Sequence, residues 1–393
     1  VSSAAFNLAK VIQSLFVSSS DPPSLEEILK ILSNSQFLDD TDEKEMKKKK
    51  FSYFDEDDEC STKCEFQKHN SIQQINRERQ FYTAVINTLL PKLTDINERI
   101  SNGNTILHLI SQTGNLSLIK QIMSKENIDL KVKNDLDQSI LFSAVMSNNL
   151  ELVKYYTSLE IFDFKQTDVF HKNILHYACE LGNLSIVKYI ISFSLIDLNS
   201  LDNNNRNIMS YACQSGNLEL VQFLLIIHTF DLTIKDKDNN SLLHIACQSG
   251  SWNLVENLIS LIDRSEIPSI NNNKQNCLHI ACKTNSVRLV KLLIDQEVID
   301  KNAKDDNGLT PLMYAVSNEN ITVAFYLLSL PDIDLNSHDS DQNTILHFAA
   351  KCNDLDLVKF IIQYNHHLLN TPNVFGETML HLACKHGNVD LVA

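Results

Sequence analysis

The amino-acid sequence predicts an all-α fold, a solenoid of about nine helix-turn-helix repeats with an N-terminal helical cap region before them. Three observations lead to this prediction. A short phrase returns every 34 or 35 residues from about residue 100 onward, apolar residues within each repeat follow the period of a helix, and the 8 glycines fall at two fixed places in the repeat. So many matches in one register exclude chance.

The recurring phrase contains Thr or another small polar residue, which is followed by apolar residues and, in most copies, by His. Asn104–His108 reads Asn-Thr-Ile-Leu-His and returns unchanged at Asn343–His347. Its Thr-like residue, which we name the threonine position, recurs 34 residues apart with a single step of 35. The occupants of this position are Thr105, Ser139, Asn173, Asn207, Ser241, Asn276, Thr310, Thr344 and Thr378.

Each repeat is predicted to contain two short amphipathic helices. After the threonine position, apolar residues recur at helical spacing, and a second apolar run follows in the same repeat. In the third repeat these runs are Leu175, Ala178 and Cys179, then Leu184, Val187, Ile190 and Ile191. Neither helix is long enough to be stable alone in water, so neighbouring repeats must stack and bury both helices in one continuous core.

The glycines mark two sharp turns in each repeat. One group lies nine residues after the threonine position, where the first helix should end in a left-handed residue: Gly114, Gly182, Gly216, Gly250 and Gly387. Other repeats have Asn there, which tolerates this conformation, or Glu as the single exception: Asn148, Asn285, Asn353 and Glu319. The remaining glycines lie two residues before the threonine position, in the turn between repeats: Gly103, Gly308 and Gly376. No glycine is left for a phosphate-binding loop.

The segment Asp305–Leu312, which reads Asp-Asp-Asn-Gly-Leu-Thr-Pro-Leu, resembles the turn and first helix of an ankyrin repeat. The resemblance covers about three quarters of the chain. The Asn-rich loops are similar in style to those of long ankyrin arrays in some parasitic protists. The resemblance implies an ankyrin-repeat solenoid, in which a His near the start of the first helix bonds the neighbouring turn through its ring nitrogens.

The repeats define the predicted domain organisation. Residues 1–95 do not follow the repeat and are expected to form an N-terminal helical region with a charged linker at about 39–70. Residues 96–393 are predicted to form the ankyrin-repeat domain, and a helix over about 71–90 should cover its first repeat. The last repeat is expected to be truncated, which would leave apolar residues without a covering neighbour: Leu382, Ala383 and Leu391.

Composition and charge narrow the classes of function. The chain carries 34 basic and 49 acidic residues, and its net charge of −15 repels nucleic acids and anionic membranes. No stretch reaches the roughly 18–20 apolar residues that span a bilayer, and the first residues do not resemble a signal peptide. We therefore expect an intracellular, cytoplasmic monomer that binds no nucleic acid and does not insert into a membrane.

Recurring His and Cys residues suggest metal or redox chemistry, but the repeat explains both series. Phe, Ser or Met replaces the histidine in three repeats, so no reaction needs a histidine at this position. The histidines that occupy the position are His108, His176, His244, His279, His347 and His381. Five cysteines share a position that needs a small residue against the next repeat, namely Cys179, Cys213, Cys247, Cys282 and Cys384. Stacked helices are too far apart for a disulfide between neighbouring members of this series. Unpaired thiols suit a reducing compartment.

No catalytic residue, metal site or cofactor is predicted. Cys60, Cys64 and His69 form the single cluster outside the repeats, but structural zinc usually needs four ligands, so a solvated linker is the favoured interpretation. A series of aspartates is expected to open the turns between repeats by accepting hydrogen bonds from nearby backbone N–H groups: Asp168, Asp202, Asp236, Asp305 and Asp339.

Binding is expected at the turn tips and on the inner surface of the first helices, because those side chains do not serve stacking. Grouped apolar residues at solvent-facing positions often mark a partner site, and Phe170 with Lys172 and Arg206 is the predicted anchor with its polar rim. The alternative is that some of these side chains pack within the turn. The predicted contact residues are Leu136, Met146, Val169, Phe170, Lys172, Leu181, Arg206, Gln214, Lys237 and Asp238. A second candidate patch, or a contact with a further repeat, is formed by Val374 and Phe375.

Two functional hypotheses follow from the resemblance. In the first, the chain is a protein–protein interaction module or scaffold that presents its concave surface and turn tips to a protein ligand, without catalysis. In the second, it is the regulatory ankyrin region of a larger enzyme or membrane protein whose effector domain lies beyond this chain. The fold alone names no partner, since function must be argued from a site.

Overall fold

The computed structural model describes residues 96–99, 101–124, 127–352 and 354–392. The chain divides into two compact units, Val1–Ile196 and Asp197–Ala393. The described residues form helices and isolated β-bridges, without a strand among them. All predictions for residues 1–95 lie outside the described residues, including the helices, the charged linker and the cluster of Cys60, Cys64 and His69.

The first unit contains three described repeats, each with two helices, as the sequence predicts. The helices are α1 (Ile106–Thr113), α2 (Leu116–Met123), α3 (Ile140–Met146), α4 (Leu150–Thr157), α5 (Ile174–Glu180) and α6 (Leu184–Ile191). A short 3₁₀ helix, Ser101–Gly103, precedes them. First helices pack on first helices, α1 against α3 and α3 against α5, while α4 packs against α6.

The second unit continues the same pattern through six more helix pairs. Its α-helices are α7 (Ile208–Ser215), α8 (Leu218–Ile227), α9 (Leu242–Gln248), α10 (Trp252–Ile259), α11 (Cys277–Ala281), α12 (Val287–Ile294), α13 (Pro311–Ser317), α14 (Ile321–Leu328), α15 (Ile345–Cys352), α16 (Leu355–Tyr364), α17 (Met379–Lys385) and α18 (Val389–Val392). Two 3₁₀ helices, Arg264–Glu266 and His366–Asn370, lie in the loops. Contacts again run between consecutive first helices, from α7 through α17.

The left-handed turn between the two helices forms where the sequence predicts it, with one exception. Gly216 has φ 72° and ends α7, and Asn148 and Glu319 adopt φ 61° and 57° at the equivalent place. The prediction for Asn285 is wrong, since its φ is not left-handed and α11 ends early, at Ala281. Asn353 lies outside the described residues. The second helix then begins at a polar cap such as Asn217, whose side chain accepts a hydrogen bond from the Leu220 N–H at 3.1 Å.

Two predictions about the core are corrected. Trp252 stands where most other repeats have Leu, which predicts a core residue. It is only half-buried, because it lies at the first position of α10, where the Arg288 guanidinium stacks 3.4 Å from its ring centroid. Leu382 is buried, with 3% of its surface exposed, and Ala383 is fully buried, because α17 packs against α15 and α18. Leu391 is half-buried. Residues on the other side of this repeat are exposed instead: Leu380, Val389 and Val392.

Candidate functional site

One Asp or Asn side chain, five residues before the threonine position, organises each turn between repeats. In the third repeat, Oδ1 of Asp168 accepts hydrogen bonds from the backbone N–H groups of Phe170 and Lys172, both at 2.9 Å. The same pair of bonds recurs at Asn134, Asp202, Asp236, Asn271, Asp305, Asp339 and Asn373. The predicted role of the aspartate series is confirmed, and these bonds fix the path of each tip.

Neighbouring tips are also joined backbone to backbone. In the first unit, the Val169 N–H donates to the Leu136 carbonyl oxygen at 3.0 Å. Equivalent bonds in the second unit join Lys237 to Asn204, Asn272 to Asp238, Asp306 to Asn273, Ser340 to Asn307 and Val374 to Asp341. Because each tip is held by its neighbour, the tip side chains stand on a preorganised edge, which lowers the entropy cost of binding a partner.

Three apolar side chains stand on this edge in the first unit, and we name Leu136, Val169 and Phe170 the tip cluster. All three are exposed, and Phe170 keeps 49% of its surface in solvent. Leu181, which caps the end of α5, is exposed as well. Met146, at the end of α3, is only half-buried and so offers less surface than the other four.

Lys172, predicted to belong to the polar rim, is held by its own repeat. Its Nζ lies 3.1 Å from Oε2 of Glu180 and 5.1 Å from the ring centroid of Tyr177. The lysine is half-buried. A partner would therefore have to compete with Glu180 for its charge.

Arg206, the other predicted rim residue, links two turns of the second unit. Its Nε and Nη2 donate to Oδ2 of Asp236 at 3.0 and 2.6 Å, and its Nη1 donates to Gln214 Oε1 at 3.4 Å. Burial of Asp236 opposes its charge, but hydrogen bonds from Arg206 and Asn240 lower the pKa of this carboxyl below its ordinary value. Lys237 and Asp238 are exposed at the next tip. Most of the bonding capacity of Arg206 is thus used within the fold.

The recurring histidines bridge consecutive repeats. In His347, Nδ1 accepts from the Thr344 N–H at 3.0 Å, and Nε2 lies 3.0 Å from the Glu377 carbonyl oxygen of the next repeat. An acceptor Nδ1 requires the hydrogen on Nε2, so these two bonds define one tautomer. His108 and His279 make the same pair of bonds. Burial lowers the pKa of all three imidazoles and keeps them neutral.

Four of the five cysteines in the series are buried, as their packing role predicts. Cys179, Cys213, Cys247 and Cys282 are fully buried and unbridged, and burial raises the pKa of the Cys213 thiol to about 12. Cys384, in the last described repeat, is exposed. Within the part of the chain that the structure describes, no group of three or more His, Cys, Asp or Glu side chains is placed to hold a metal ion.

Tyrosines on the first helices complete the turn geometry, a role that the sequence reasoning missed. Tyr177 donates its hydroxyl to Asp168 Oδ2 at 2.7 Å, and Gln138 of the preceding repeat donates to the same oxygen at 3.1 Å. Two more pairs, Tyr211 with Asp202 and Tyr314 with Asp305, repeat this bond. The signal was available, since each Tyr follows its Asp by nine residues.

These features define a protein built from tandem helix-turn-helix repeats with hydrogen-bonded turns. The family profile described as ankyrin repeats (3 copies) matches residues 78–158, 141–236, 243–339 and 330–393. The chain belongs to the ankyrin-repeat family. A search of curated proteins finds no match. Among the described residues, no helix is both long and apolar enough to cross a membrane.

Proposed function

We propose that this chain binds a protein ligand through its turn tips and the inner surface of its first helices, without catalysis of its own. Ankyrin repeats are general protein–protein interaction modules, and the family is typically non-catalytic. The observation that carries the proposal is the tip cluster, in which three apolar side chains stand exposed on a hydrogen-bonded edge. When a partner covers solvent-exposed apolar groups, their removal from water lowers the free energy of the complex.

Phe170 is the proposed anchor. Aromatic side chains bury a large area with little loss of rotamer freedom, and a few such residues dominate most interfaces. Leu136, Val169, Leu181 and Met146 supply the surrounding apolar area, and Lys172 contributes at the rim. In the second unit, a separate set of contact residues is proposed, namely Arg206, Gln214, Lys237 and Asp238, with Arg206 acting mainly by holding its turn.

The proposed ligand is a protein and not a nucleic acid, because the net charge of −15 repels phosphate backbones. The polar side chains that could resemble a catalytic centre are engaged in turns and caps, as the bonds of Asp168 and His347 illustrate. We further propose a monomer that acts inside the cell, in keeping with its unbridged cysteines.

The test compares Phe170→Asp with Leu195→Asp, which alters an equally exposed apolar residue of the same unit, at 47%, away from the tips. Partners are first captured from native lysate and identified by quantitative mass spectrometry. Their affinity for each purified chain is then measured by interferometry, after circular dichroism has established equal helicity. We expect Phe170→Asp to weaken binding by about thirtyfold or more, as for loss of a hot spot, and Leu195→Asp to leave it unchanged.

If both variants bind as tightly as the unmodified chain, the contact lies away from the tip cluster. A loss of binding in both would indicate a general effect of added charge. An activity of the purified chain that a point mutation abolishes would overturn the non-catalytic part of the proposal.

A further inference from the structure

One repeat position, near the C-terminal end of the first helix, holds lysine in three repeats of the second unit and in no earlier repeat. Lys351 and Lys385 lie in α15 and α17, and Lys283 lies two residues after the end of α11. The position seven residues after the threonine position is occupied by Lys283, Lys351 and Lys385, and all three side chains are exposed. The same position holds uncharged or acidic residues elsewhere: Gln112, Met146, Glu180, Gln214, Gln248 and Ser317. In a chain with a net charge of −15, three lysines at one repeat position can attract acidic groups of a ligand. We name these three lysines the lysine row.

One aromatic ring lies near each of two of these ammonium groups. Lys283 Nζ lies 4.8 Å from the ring centroid of Tyr314, and Lys351 Nζ lies 5.5 Å from that of Phe348. Burial lowers the pKa of Lys283, and the charge of Asp305 only partly offsets this effect. The Asp305 carboxylate already accepts the Tyr314 hydroxyl and two backbone N–H groups. A cation–π contact leaves the positive charge of the lysine in place, so a ligand carboxylate could still pair with Lys283 and Lys351.

Lys385 is in part neutralised already. Its Nζ lies 3.1 Å from Oε1 of Glu377, but 64% of the lysine side chain remains exposed. A ligand carboxylate can approach the exposed side of this ammonium group without displacing Glu377. The free charge of the row is thus greatest at Lys283 and Lys351.

A cavity opens at the end of the lysine row. It has a volume of about 350 Å³, and its lining combines Lys351, Lys385 and His386 with the carboxylates of Asp341 and Glu377 and with the apolar Phe375 and Leu382. Phe375 keeps 72% of its surface in solvent. The cavity thus combines two ammonium groups and two carboxylates with an uncovered aromatic wall, an arrangement suited to an apolar side chain.

We propose that the lysine row and this cavity form a docking surface for an extended acidic peptide segment of a partner protein, with one apolar side chain of the peptide in the cavity. Charge complementarity selects the acidic residues, and Phe375 selects the anchor. A nucleic acid fits less well than a peptide with a carboxylate at every third residue, because its denser phosphate charge would meet Asp306 and Asp341, which are exposed at the tips of the same unit, and a chain with a net charge of −15.

The repeat spacing also predicts the ligand's sequence pattern. Packed helices lie about 8–10 Å apart. A peptide in the polyproline II conformation advances roughly 3.1 Å per residue with three residues per turn, so every third side chain points the same way at about 9 Å intervals. An acidic residue at every third position would therefore meet successive first helices, with Lys351 and Lys385 on neighbouring repeats and Lys283 two repeats before Lys351.

The probe is a fluorescein-labelled peptide of about twelve residues, with Glu at every third position and one Phe near an end, measured by fluorescence polarisation against the full chain. The test variant is Lys283→Glu with Lys351→Glu. The matched control is Lys291→Glu with Lys359→Glu, which makes the same charge change at exposed lysines of the second helices α12 and α16. We expect the test variant to weaken binding at least about tenfold and the control to retain it. Phe375→Ala should weaken binding severalfold without a change of charge.

Equal binding by the two double variants, or equal binding of a peptide with Gln in place of each Glu, would overturn the proposal. Tighter binding of single-stranded oligothymidylate than of the acidic peptide would assign the row to nucleic acid and overturn it as well. If the Glu variant loses helicity, the milder Lys283→Gln with Lys351→Gln replaces it. This surface shares no residue with the tip cluster, so Phe170→Asp should leave peptide binding intact, and the two proposals succeed or fail separately.

Discussion

At the scale of single residues, four buried histidines connect their own helix starts to the next repeat, namely His108, His244, His279 and His347. His347 and His381 occupy the same position, follow the same Thr cap and bond it in the same way, with Nδ1 at 2.9 and 2.8 Å from the Thr hydroxyl oxygen. They differ in their surroundings, because His347 is fully buried and bonds the Glu377 carbonyl, whereas His381 is exposed. A comparison of His347 with His381 therefore distinguishes the bond to the next repeat from the bond to the helix cap.

Replacement of His347 by Ala should destabilise the second unit by about 2–4 kcal/mol, because the Thr344 N–H and the Glu377 carbonyl both lose a partner. The matched His381→Ala change should cost less than about 1 kcal/mol, since water can replace an exposed ring. Urea denaturation followed by circular dichroism measures both. Equal costs would mean that the bridge to the next repeat adds nothing beyond the cap.

At the scale of elements, the left-handed residue between the two helices of a repeat decides where the first helix stops. Glycine holds this place in five repeats, but Glu319 adopts φ 57° between α13 and α14. A left-handed residue with a Cβ atom carries a steric cost of about 1–2 kcal/mol, which glycine avoids. The fold therefore imposes the conformation even where the local sequence does not favour it.

The change Glu319→Gly should raise the stability of the second unit by up to about 1 kcal/mol, because the relief of steric strain exceeds the added entropy of an unfolded glycine. Glu319→Ala is the control, since it removes the carboxylate but keeps the Cβ atom, and we expect no gain from it. Thermal unfolding midpoints at matched concentrations provide the measurement. A gain in the alanine variant would attribute the effect to charge and not to backbone strain.

At the scale of the whole chain, features that repeat were predictable and features that depend on neighbours were not. The repeat period predicted the two helices of each repeat, and the regular spacing of Asp168 and its equivalents predicted the hydrogen-bonded turns. The bond from Val169 to Leu136 could not be foreseen, because it joins backbone atoms that all residues share. The pairing of Arg206 with Asp236 was also missed, since it depends on the distance between two turns.

The order of burial along the second unit predicts a gradient of local stability. Contacts run between neighbouring repeats, so a repeat covered on both sides buries more apolar surface than one covered on a single side. Leu312 of α13 is buried at 3% exposure, whereas Leu380, at the same place in α17, is exposed, and Val389 at the start of α18 keeps 74% of its surface in solvent. Regions with little buried apolar surface open locally at low free-energy cost.

In native-state hydrogen exchange read by mass spectrometry, the amides of α17 and α18 should therefore exchange at least about tenfold faster than those of α13 and α14, with α15 and α16 between them. Leu312→Ala serves as the matched perturbation, because a cavity in a covered repeat should raise exchange in α13 and its neighbours and flatten the gradient. Uniform protection from α7 to α18 would contradict this view. It would mean that the second unit opens as a single cooperative body, in which coupling between repeats outweighs the difference in burial.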